Sequence, residues 1–177
     1  MDIRPLDLPG LYLIQPAHFE DERGSFTKTF HAPSLTDQDL TLDLQEEFIT
    51  VSHRHVLRGM HFQVPPAAHR KTVTCIRGAV LDVLLDLRPG PTYGQSTSLQ
   101  LTESNRYLLW IPIGIAHGFL ALEDHSTLIY KTDHAYSPQH DQGIHWNSFE
   151  FDWKTTQPIL SNRDQQHPQL KDFISPF

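Results

Sequence analysis

The sequence contains little cysteine and no long apolar run. Its single cysteine, Cys75, excludes an intramolecular disulfide bond and agrees with a reducing compartment. The uncharged stretches are far shorter than the roughly 20 apolar residues that a membrane-spanning helix needs. The first residues, MDIRPLDLPGLYLI, lack the basic and apolar segments of a secretory signal. We therefore expect a soluble, cytoplasmic protein.

Positive charge is also scarce. The chain has 14 Lys and Arg residues against 21 Asp and Glu residues, which gives a net charge of −7 with histidine neutral. A nucleic-acid surface would require clustered Lys and Arg, so we expect no nucleic-acid partner. An anionic ligand would have to be held by a few local cations. The candidates are Arg23, Arg58, Lys71 and Arg163, whereas most other Lys and Arg residues are expected to be solvated.

The length of 177 residues fits one domain, and we expect residues 1–177 to form it. No internal repeat, low-complexity tract or charged linker divides the chain. The proline-rich segment VPPAAH predicts a rigid turn, because a strand pattern resumes directly after it. One domain predicts one functional site.

Short apolar or alternating segments that end in turn residues recur along the whole chain, and this pattern is typical of strands. The segments are LYLIQP, SFTKTFH, TVTCIRG, AVLDVLLDLRPG, STSLQLT, YLLWIPIG, GFLALED and STLIYKTD. Helical signals are weak and short, at SLTDQDL and LSNRDQQHPQL. Many short strands at regular spacing predict an all-β sandwich or closed barrel, with a jelly roll among the solutions.

Twelve histidines are present, and two of them stand apart. Strand alternation in LRGMHFQ predicts that His61 and Gln63 point to one face, while Met60 and Phe62 point to the other. His117 in IPIGIAHGF is the second inward candidate. Most histidines among polar or turn residues are expected at the surface, and they are His31, His53, His55, His125, His134, His140, His145 and His167.

Inward histidines in a barrel could bind a metal. His61, His69 and His117 would be the ligands, but Gln63 stands where the second histidine of a His-x-His pair would be useful. His69 lies in the proline-rich turn. We therefore expect no metal and no cofactor, and a metal-dependent enzyme stays the alternative.

A metal-free site uses the same residues as acids and bases. Neutral His61 has the properties of a general base at pH 7, and Asp164 is a candidate partner for its other ring nitrogen. Proton removal beside a ketone gives an enolate, which Lys71 could stabilise. Asp82 could orient Lys71, or it could be a solvent-exposed residue without this role. Tyr130 is a candidate acid, although periodicity alone favours a core tyrosine with a satisfied hydroxyl.

Motifs along nearly the whole chain match one family in order. They are DERGSF, VLRGMHFQ, RGAVLDVLLDLRPGPTYG, WIPIGIAHGFLAL, LIYKTDHAYSP and PILSNRD. Together they resemble the dTDP-4-dehydrorhamnose 3,5-epimerase family. The resemblance implies a cupin double-stranded β-helix, or jelly roll, that works as a homodimer without a metal. It also implies an isomerase of deoxysugar or cell-surface polysaccharide biosynthesis, which epimerises C3, C5 or both of a nucleotide-linked 4-keto-6-deoxyhexose through an enolate.

The resemblance also implies roles for single residues. His61 would accept the proton with Asp164 as its partner, Tyr130 would donate a proton on the opposite face, and Lys71 would stabilise the enolate. Arg23, Arg58 and Arg163 would lie at the diphosphate, Tyr136 would stack against the anionic intermediate, and His117 would contact the sugar. The full set of implied substrate-binding positions is Arg23, Phe26, Lys28, Arg58, His117, Tyr136, Asp141 and Arg163.

Departures from the family pattern concentrate on the nucleotide. Lys28 stands where the family carries a Glu that contacts the base, and Asp141 replaces another Glu. Arg163 replaces a Lys, and Gln165 replaces an Arg. The connection before the LRG motif, EEFITVSHRHVLRG, lacks a Gln-Asp-Asn stretch and is about two residues shorter. The nucleotide thus stays open, as do an epimerase of C3 or C5 alone on a CDP- or GDP-sugar, a 3,4-ketoisomerase and a sugar-nucleotide binder without catalysis.

Overall fold

Strands dominate the computed structural model, which describes residues 1–177. The strands are β1 Asp2–Pro5, β2 Tyr12–Gln15, β3 Ala17–Asp21, β4 Gly24–Lys28, β5 Glu46–Ser52, β6 Leu57–Gln63, β7 Lys71–Arg77, β8 Ala79–Asp86, β9 Ser96–Thr102, β10 Leu108–Ile111, β11 Ile115–Ala121, β12 Ser126–Thr132 and β13 Asp141–Gly143. The helices are α1 Ala32–Thr36 and α2 Asn162–Gln165, followed by a 3₁₀ turn at Leu170–Asp172. The prediction of an all-β fold with short helices is confirmed.

Two antiparallel sheets pack face to face. The six-stranded sheet has the order β1-β2-β10-β7-β12-β5, and the five-stranded sheet has the order β13-β6-β11-β8-β9. Strands β3 and β4 form a separate hairpin, in which Phe19 and Phe26 are exposed. The apolar residues between the two sheets include Val73, Leu84 and Phe119, all fully buried. Alternation along each strand therefore directs one set of side chains into a shared interior.

A second core covers the outer face of the five-stranded sheet. Met60 and Phe62 of β6 pack there against Trp146 and Trp153 from the C-terminal part of the chain. The same segment is tied to β6 by backbone hydrogen bonds, since the Leu57 amide donates to the Ile159 carbonyl at 3.0 Å. This packing places α2 beside β6.

Four strands were not predicted, namely β1, β3, β5 and β13. They are short, or they carry charged residues at exposed positions, such as Glu47 in β5. Their strand character comes from pairing with a neighbour and not from an apolar pattern. No helix is both long enough and apolar enough to span a membrane.

Candidate active site

Two adjoining cavities open between the sheets at the β6 and β7 strands. The outer cavity measures about 300 Å³ and is lined by Glu46, Phe48, His61, Phe62, Gln63, His69, Lys71, Thr132, His134, Tyr136, Asp141 and Arg163. The inner cavity measures about 110 Å³ and is lined by Phe48, Thr50, Arg58, His61, Lys71, His117, Phe119 and Tyr130. Phe48, His61 and Lys71 belong to both, so the two cavities form one site with a wide mouth and a narrow end.

His61 stands at the junction of the two cavities. Alternation along β6 directs Met60 and Phe62 into the outer-face core and His61 and Gln63 toward the cavities, as predicted. The His61 side chain is 32% exposed, and its Nε2 lies 2.6 Å from Oδ1 of the buried Asp164. The Ser161 hydroxyl caps α2 by accepting the Asp164 amide at 3.1 Å, which fixes the residue that carries the carboxylate.

The electrostatics of this pair determine which ring nitrogen is available. Burial would raise the pKa of Asp164, but the hydrogen bond from His61 and the nearby His167 imidazole outweigh it and hold this pKa well below its usual range. Burial lowers the pKa of His61, and the bond to Asp164 offsets this only in part. At neutral pH a neutral imidazole therefore donates Nε2–H to an ionised carboxylate. Nδ1, which makes no hydrogen bond, is left with a free lone pair.

Lys71, at the start of β7, supplies a buried positive charge to both cavities. Burial lowers its pKa to about 8, although the Asp141 and Asp82 carboxylates counteract part of this effect. The ammonium therefore stays charged at neutral pH. A partly desolvated cation of this kind is suited to stabilise an oxyanion that forms beside it.

Tyr130, on β12, lies across the interior from His61. His61 belongs to the five-stranded sheet and Tyr130 to the six-stranded sheet, so the two side chains approach the inner cavity from opposite sides. The Tyr130 ring is buried and stacks on Phe48, with ring centroids 4.6 Å apart. Burial raises the pKa of its phenol, which therefore keeps its proton. Tyr130 is both a core tyrosine and a cavity residue.

His117 pairs with Asp82 inside the barrel. The His117 Nε2 lies 2.8 Å from Asp82 Oδ2, and both side chains are buried. The alternative of a solvated Asp82 is therefore wrong, because Asp82 is fully buried. Asp82 bonds His117, and it acts on Lys71 only through its charge. His117 sits opposite His61 in the strand register and lines the inner cavity.

Polar residues surround the mouth of the outer cavity. Arg163 forms an ion pair with Asp141 at 2.8 Å. Tyr136 lies beside them with 58% of its residue surface exposed, and the Asp141 charge raises its pKa. These three predicted residues therefore come together at the entrance, within reach of a ligand that extends out of the cavity.

The predicted phosphate-binding residues are divided between two places. Arg58 lines the inner cavity, where its Nε donates to the Ser52 hydroxyl at 3.1 Å. Arg23, Phe26 and Lys28 lie on the β3–β4 hairpin instead, and Arg23 and Phe26 line a different surface concavity. Arg23 is exposed and pairs with Asp21. Within one chain, the structure does not bring these three residues to the His61 cavities.

Some residues of the site were given no role in the metal-free site predicted from the sequence. Gln63 organises the cavity wall: its amide nitrogen contacts His69 Nδ1 at 3.0 Å, and its carbonyl accepts the Ser137 amide at 2.6 Å. Burial lowers the pKa of His69 to about 3, so His69 is neutral. Phe48 comes from the unpredicted strand β5, and only its pairing with β12 brings it to Tyr130.

His167 was expected at the surface with the other polar-segment histidines. His53, His55, His125 and His134 are indeed exposed, but the His167 side chain is only 10% exposed. Its Nε2 lies 3.4 Å from Asp164 Oδ1. The position in LSNRDQQHPQL, among polar residues, gave no signal of this burial.

The ligand set proposed for a metal does not converge. His69 bonds Gln63 and His117 bonds Asp82. The only group of three whose ligand atoms lie within 4.8 Å of one another is His61, Asp164 and His167. In it the His61–Asp164 separation of 2.6 Å is that of a hydrogen bond. Two ligands about 2.0–2.1 Å from a tetrahedral zinc would lie farther apart.

Comparison with known proteins gives one consistent result. The model of the dTDP-4-dehydrorhamnose 3,5-epimerase family matches residues 5–172. A dTDP-4-dehydrorhamnose 3,5-epimerase of Shigella flexneri is 35% identical over 171 residues, which cover 93% of each chain. A dTDP-4-dehydrorhamnose 3-epimerase of Streptomyces niveus is 40% identical over 169 residues, which cover 93% of this chain and 82% of the relative.

A solved structure agrees over the whole fold. The dTDP-6-deoxy-D-glucose-3,5-epimerase of Legionella pneumophila, in complex with dTDP-4-keto-L-rhamnose, superposes with a TM-score of 0.93. The two chains are 31% identical, and the match covers 98% of this chain and 94% of the other. The prediction of a cupin-type jelly roll is confirmed.

The charge of Lys71 can be measured without a substrate. Nuclear magnetic resonance (NMR) titration of the lysine side chains should give a pKa of about 8 for Lys71. Asp141→Asn should lower this pKa further, because it removes a carboxylate that favours the ammonium. Asp172→Asn, an exposed control on the 3₁₀ turn, should leave it unchanged. A Lys71 pKa near that of free lysine would contradict the buried charge.

Proposed function

This chain belongs to the dTDP-4-dehydrorhamnose 3,5-epimerase family, and we propose that His61 is the base with which it epimerises its substrate. The chain is an isomerase that inverts C3, C5 or both of a nucleotide-linked 4-keto-6-deoxyhexose. The hydrogen bond between His61 Nε2 and Asp164, which leaves Nδ1 free at the cavity junction, is the observation that carries this role.

The first step removes a proton from a carbon next to the C4 ketone. His61 Nδ1 takes the proton, and the electrons of the C–H bond form a C=C bond while the carbonyl oxygen becomes an enolate. Asp164 stabilises the imidazolium that results, because its carboxylate faces the Nε2–H. The Lys71 ammonium stabilises the enolate oxygen, so the negative charge develops beside a fixed positive one.

The second step returns a proton to the other face of the carbon. Tyr130 donates its phenolic proton, the C=C bond opens toward that proton, and the C4 carbonyl re-forms. Inversion requires the acid and the base on opposite sides of the sugar, and His61 and Tyr130 belong to opposite sheets. Proton exchange with solvent then restores neutral His61 and the protonated Tyr130. Action at both C3 and C5 needs the same pair to work twice.

The substrate's diphosphate and nucleotide extend from the cavity toward the mouth. Arg163 supplies positive charge at the mouth and Arg58 supplies it from the inner cavity, since a chain with a net charge of −7 must place its cations locally. His117 contacts the sugar, while Tyr136 and Asp141 contact the part of the ligand at the mouth. Lys28 reverses the charge of a base-contacting position in the family pattern, so we leave the nucleotide as dTDP, CDP, GDP or UDP.

The chain works as one domain in a homodimer, and the dimer completes the site. Strand β5 is the edge of its sheet and exposes Phe48, Ile49 and Val51, an arrangement suited to pairing with a second chain. The β3–β4 hairpin carries Arg23, with exposed apolar residues beside it. Since these residues are not at the cavity of their own chain, each hairpin serves the partner's cavity.

Exchange with solvent deuterium tests the base and the acid separately. In D₂O the wild-type enzyme should place deuterium at C3, C5 or both, detected by NMR of the sugar. His61→Asn should reduce this exchange by about 10²- to 10⁴-fold, the usual effect of removing a general base. Tyr130→Phe should keep exchange but lose inversion, because proton removal continues while the acid on the opposite face is missing.

His55→Asn is the matched control. His55 is exposed, and its positive φ of 68° is a conformation that Asn tolerates. This variant should behave as wild type. A Tyr130→Phe enzyme with full inversion would refute the role of Tyr130, and exchange with none of the dTDP-, CDP-, GDP- and UDP-linked sugars would refute the function.

Subunit mixing tests the shared site. Arg23→Ala should lower kcat/KM by roughly 10- to 100-fold, since a hydrogen bond to a charged group contributes about 1.5–3 kcal/mol. When His61→Asn and Arg23→Ala chains are refolded together, the mixture should recover about one quarter of wild-type kcat/KM, because half of the dimers are mixed and hold one intact site.

The control mixture combines His61→Asn with Lys71→Ala. Both residues line the cavities of their own chain, so every site in a mixed dimer carries one of the defects. This mixture should recover nothing. Equal activities of the two mixtures would show that Arg23 acts within its own chain.

A further inference from the structure

His167 lies against the catalytic pair without belonging to the set of residues assigned so far. Its ring packs edge-on against His61, with centroids 5.6 Å apart and planes at 73°. Its Nε2 approaches Asp164 Oδ1, the same oxygen that bonds His61 Nε2. One carboxylate oxygen therefore faces two imidazole nitrogens.

The position of His167 is fixed from several sides. Gly143 of β13 has no side chain, and the His167 ring fills the space where any Cβ at that position would lie. The next residue is also anchored, since the Pro168 carbonyl accepts the His145 amide at 2.8 Å. The His167 Nε2 is buried and makes no hydrogen bond of normal geometry; it lies 3.4 Å from Asp164 Oδ1. A buried ring nitrogen without a hydrogen bond destabilises the folded protein. Its presence beside Asp164 therefore indicates a role for His167 at the site.

We propose that His167 is a positioning residue for the base, which holds the Asp164 carboxylate in place and keeps His61 from becoming too basic. Its Nε2 lies 3.4 Å from Asp164 Oδ1 and, as the protonated ring nitrogen, shares the negative charge that would otherwise act on His61 alone. A carboxylate oxygen has more than one acceptor site, so it can serve both rings. This proposal rests on the proposed role of His61.

The chemistry requires a base of limited strength. A base that is already protonated at the working pH cannot take the substrate's proton, and the best catalytic pKa lies near that pH. The charged groups that act on the pKa of His61 are Asp164, Arg163 and His167. The other charged and titratable residues that line its two cavities are Glu46, Arg58, His69, Lys71, His117, Tyr130, His134, Tyr136 and Asp141. Among them, His167 alone places a second ring nitrogen near the Asp164 oxygen that bonds His61.

Two substitutions of His167 distinguish hydrogen-bond donation to Asp164 from packing of the ring. His167→Leu fills the space without a donor, whereas His167→Gln retains an amide N–H that can reach Asp164. His167→Leu should raise the pKa of His61, because Asp164 then interacts with His61 alone and a neighbouring imidazole is lost. Its acid limb in the pH profile of kcat/KM should move to higher pH. Its kcat should fall by roughly 10- to 100-fold at unchanged KM, the loss expected for a misplaced catalytic group.

His167→Gln should restore most of both properties, and Gln166→Ala, an exposed neighbour, should change neither. A His167→Leu enzyme with the wild-type pH profile would overturn the proposal. So would equal changes in His167→Leu and His167→Gln, since these would indicate a packing role only.

NMR of the histidine ring nitrogens tests the role of His167 separately from the proposed role of His61 as the base. The pKa of His61 can be titrated in each variant without substrate, so it tests His167 even if the sugar assay fails. The wild-type protein also suffices if a variant does not fold. His167 Nε2 should carry the proton and change its shift as His61 titrates, whereas an unprotonated Nε2, or a shift independent of His61, would overturn the proposal.

Discussion

The hydrogen bond between His61 and the buried Asp164 carboxylate is the interaction on which the rest of the site depends. It joins residues that are 103 positions apart in the sequence, and it decides which nitrogen of His61 is free. To make it, the chain after β13 must cover the outer face of the five-stranded sheet and return α2 to β6. The tryptophans and phenylalanines of that segment do this by packing on Met60 and Phe62. The second hydrophobic core thus positions the proposed catalytic pair, although only Phe62 among its buried members lines the cavity.

The two sheets hold the proposed base and the proposed acid on opposite sides of the cavity. His61, the proposed base, lies on one sheet, and Tyr130 and Lys71, the proposed acid and the proposed cation for the enolate, lie on the other. Burial acts differently on each group. It keeps Tyr130 protonated and His61 neutral, whereas Lys71, with a pKa of about 8, stays charged at neutral pH. One low-dielectric interior therefore produces an acid, a base and a cation from three residue types, because each starts from a different ordinary pKa.

The sequence predicted the features that depend on local pattern. Alternation in LRGMHFQ placed His61 correctly, and the turn residues located most strands. The features that depend on long-range packing could not be predicted from the sequence. Nothing local indicates that Asp82 is sealed in the barrel with His117, that Phe48 stacks on Tyr130, or that His167 is buried beside Asp164. The residues alone made Asp164 one candidate partner for His61, and the family resemblance singled it out, since the 103 positions between them in the sequence do not indicate contact.

The tautomer of His61 shows whether its Nδ1 can act as the base. ¹⁵N NMR of the free enzyme, at a pH where His61 is neutral, distinguishes a protonated ring nitrogen from one with a free lone pair. We expect the proton on Nε2, facing Asp164, and an unprotonated Nδ1 available to the substrate. A proton on Nδ1 would exclude Nδ1 as the base. The lone pair would then lie on the nitrogen that faces the carboxylate, and the cavity would lack a base.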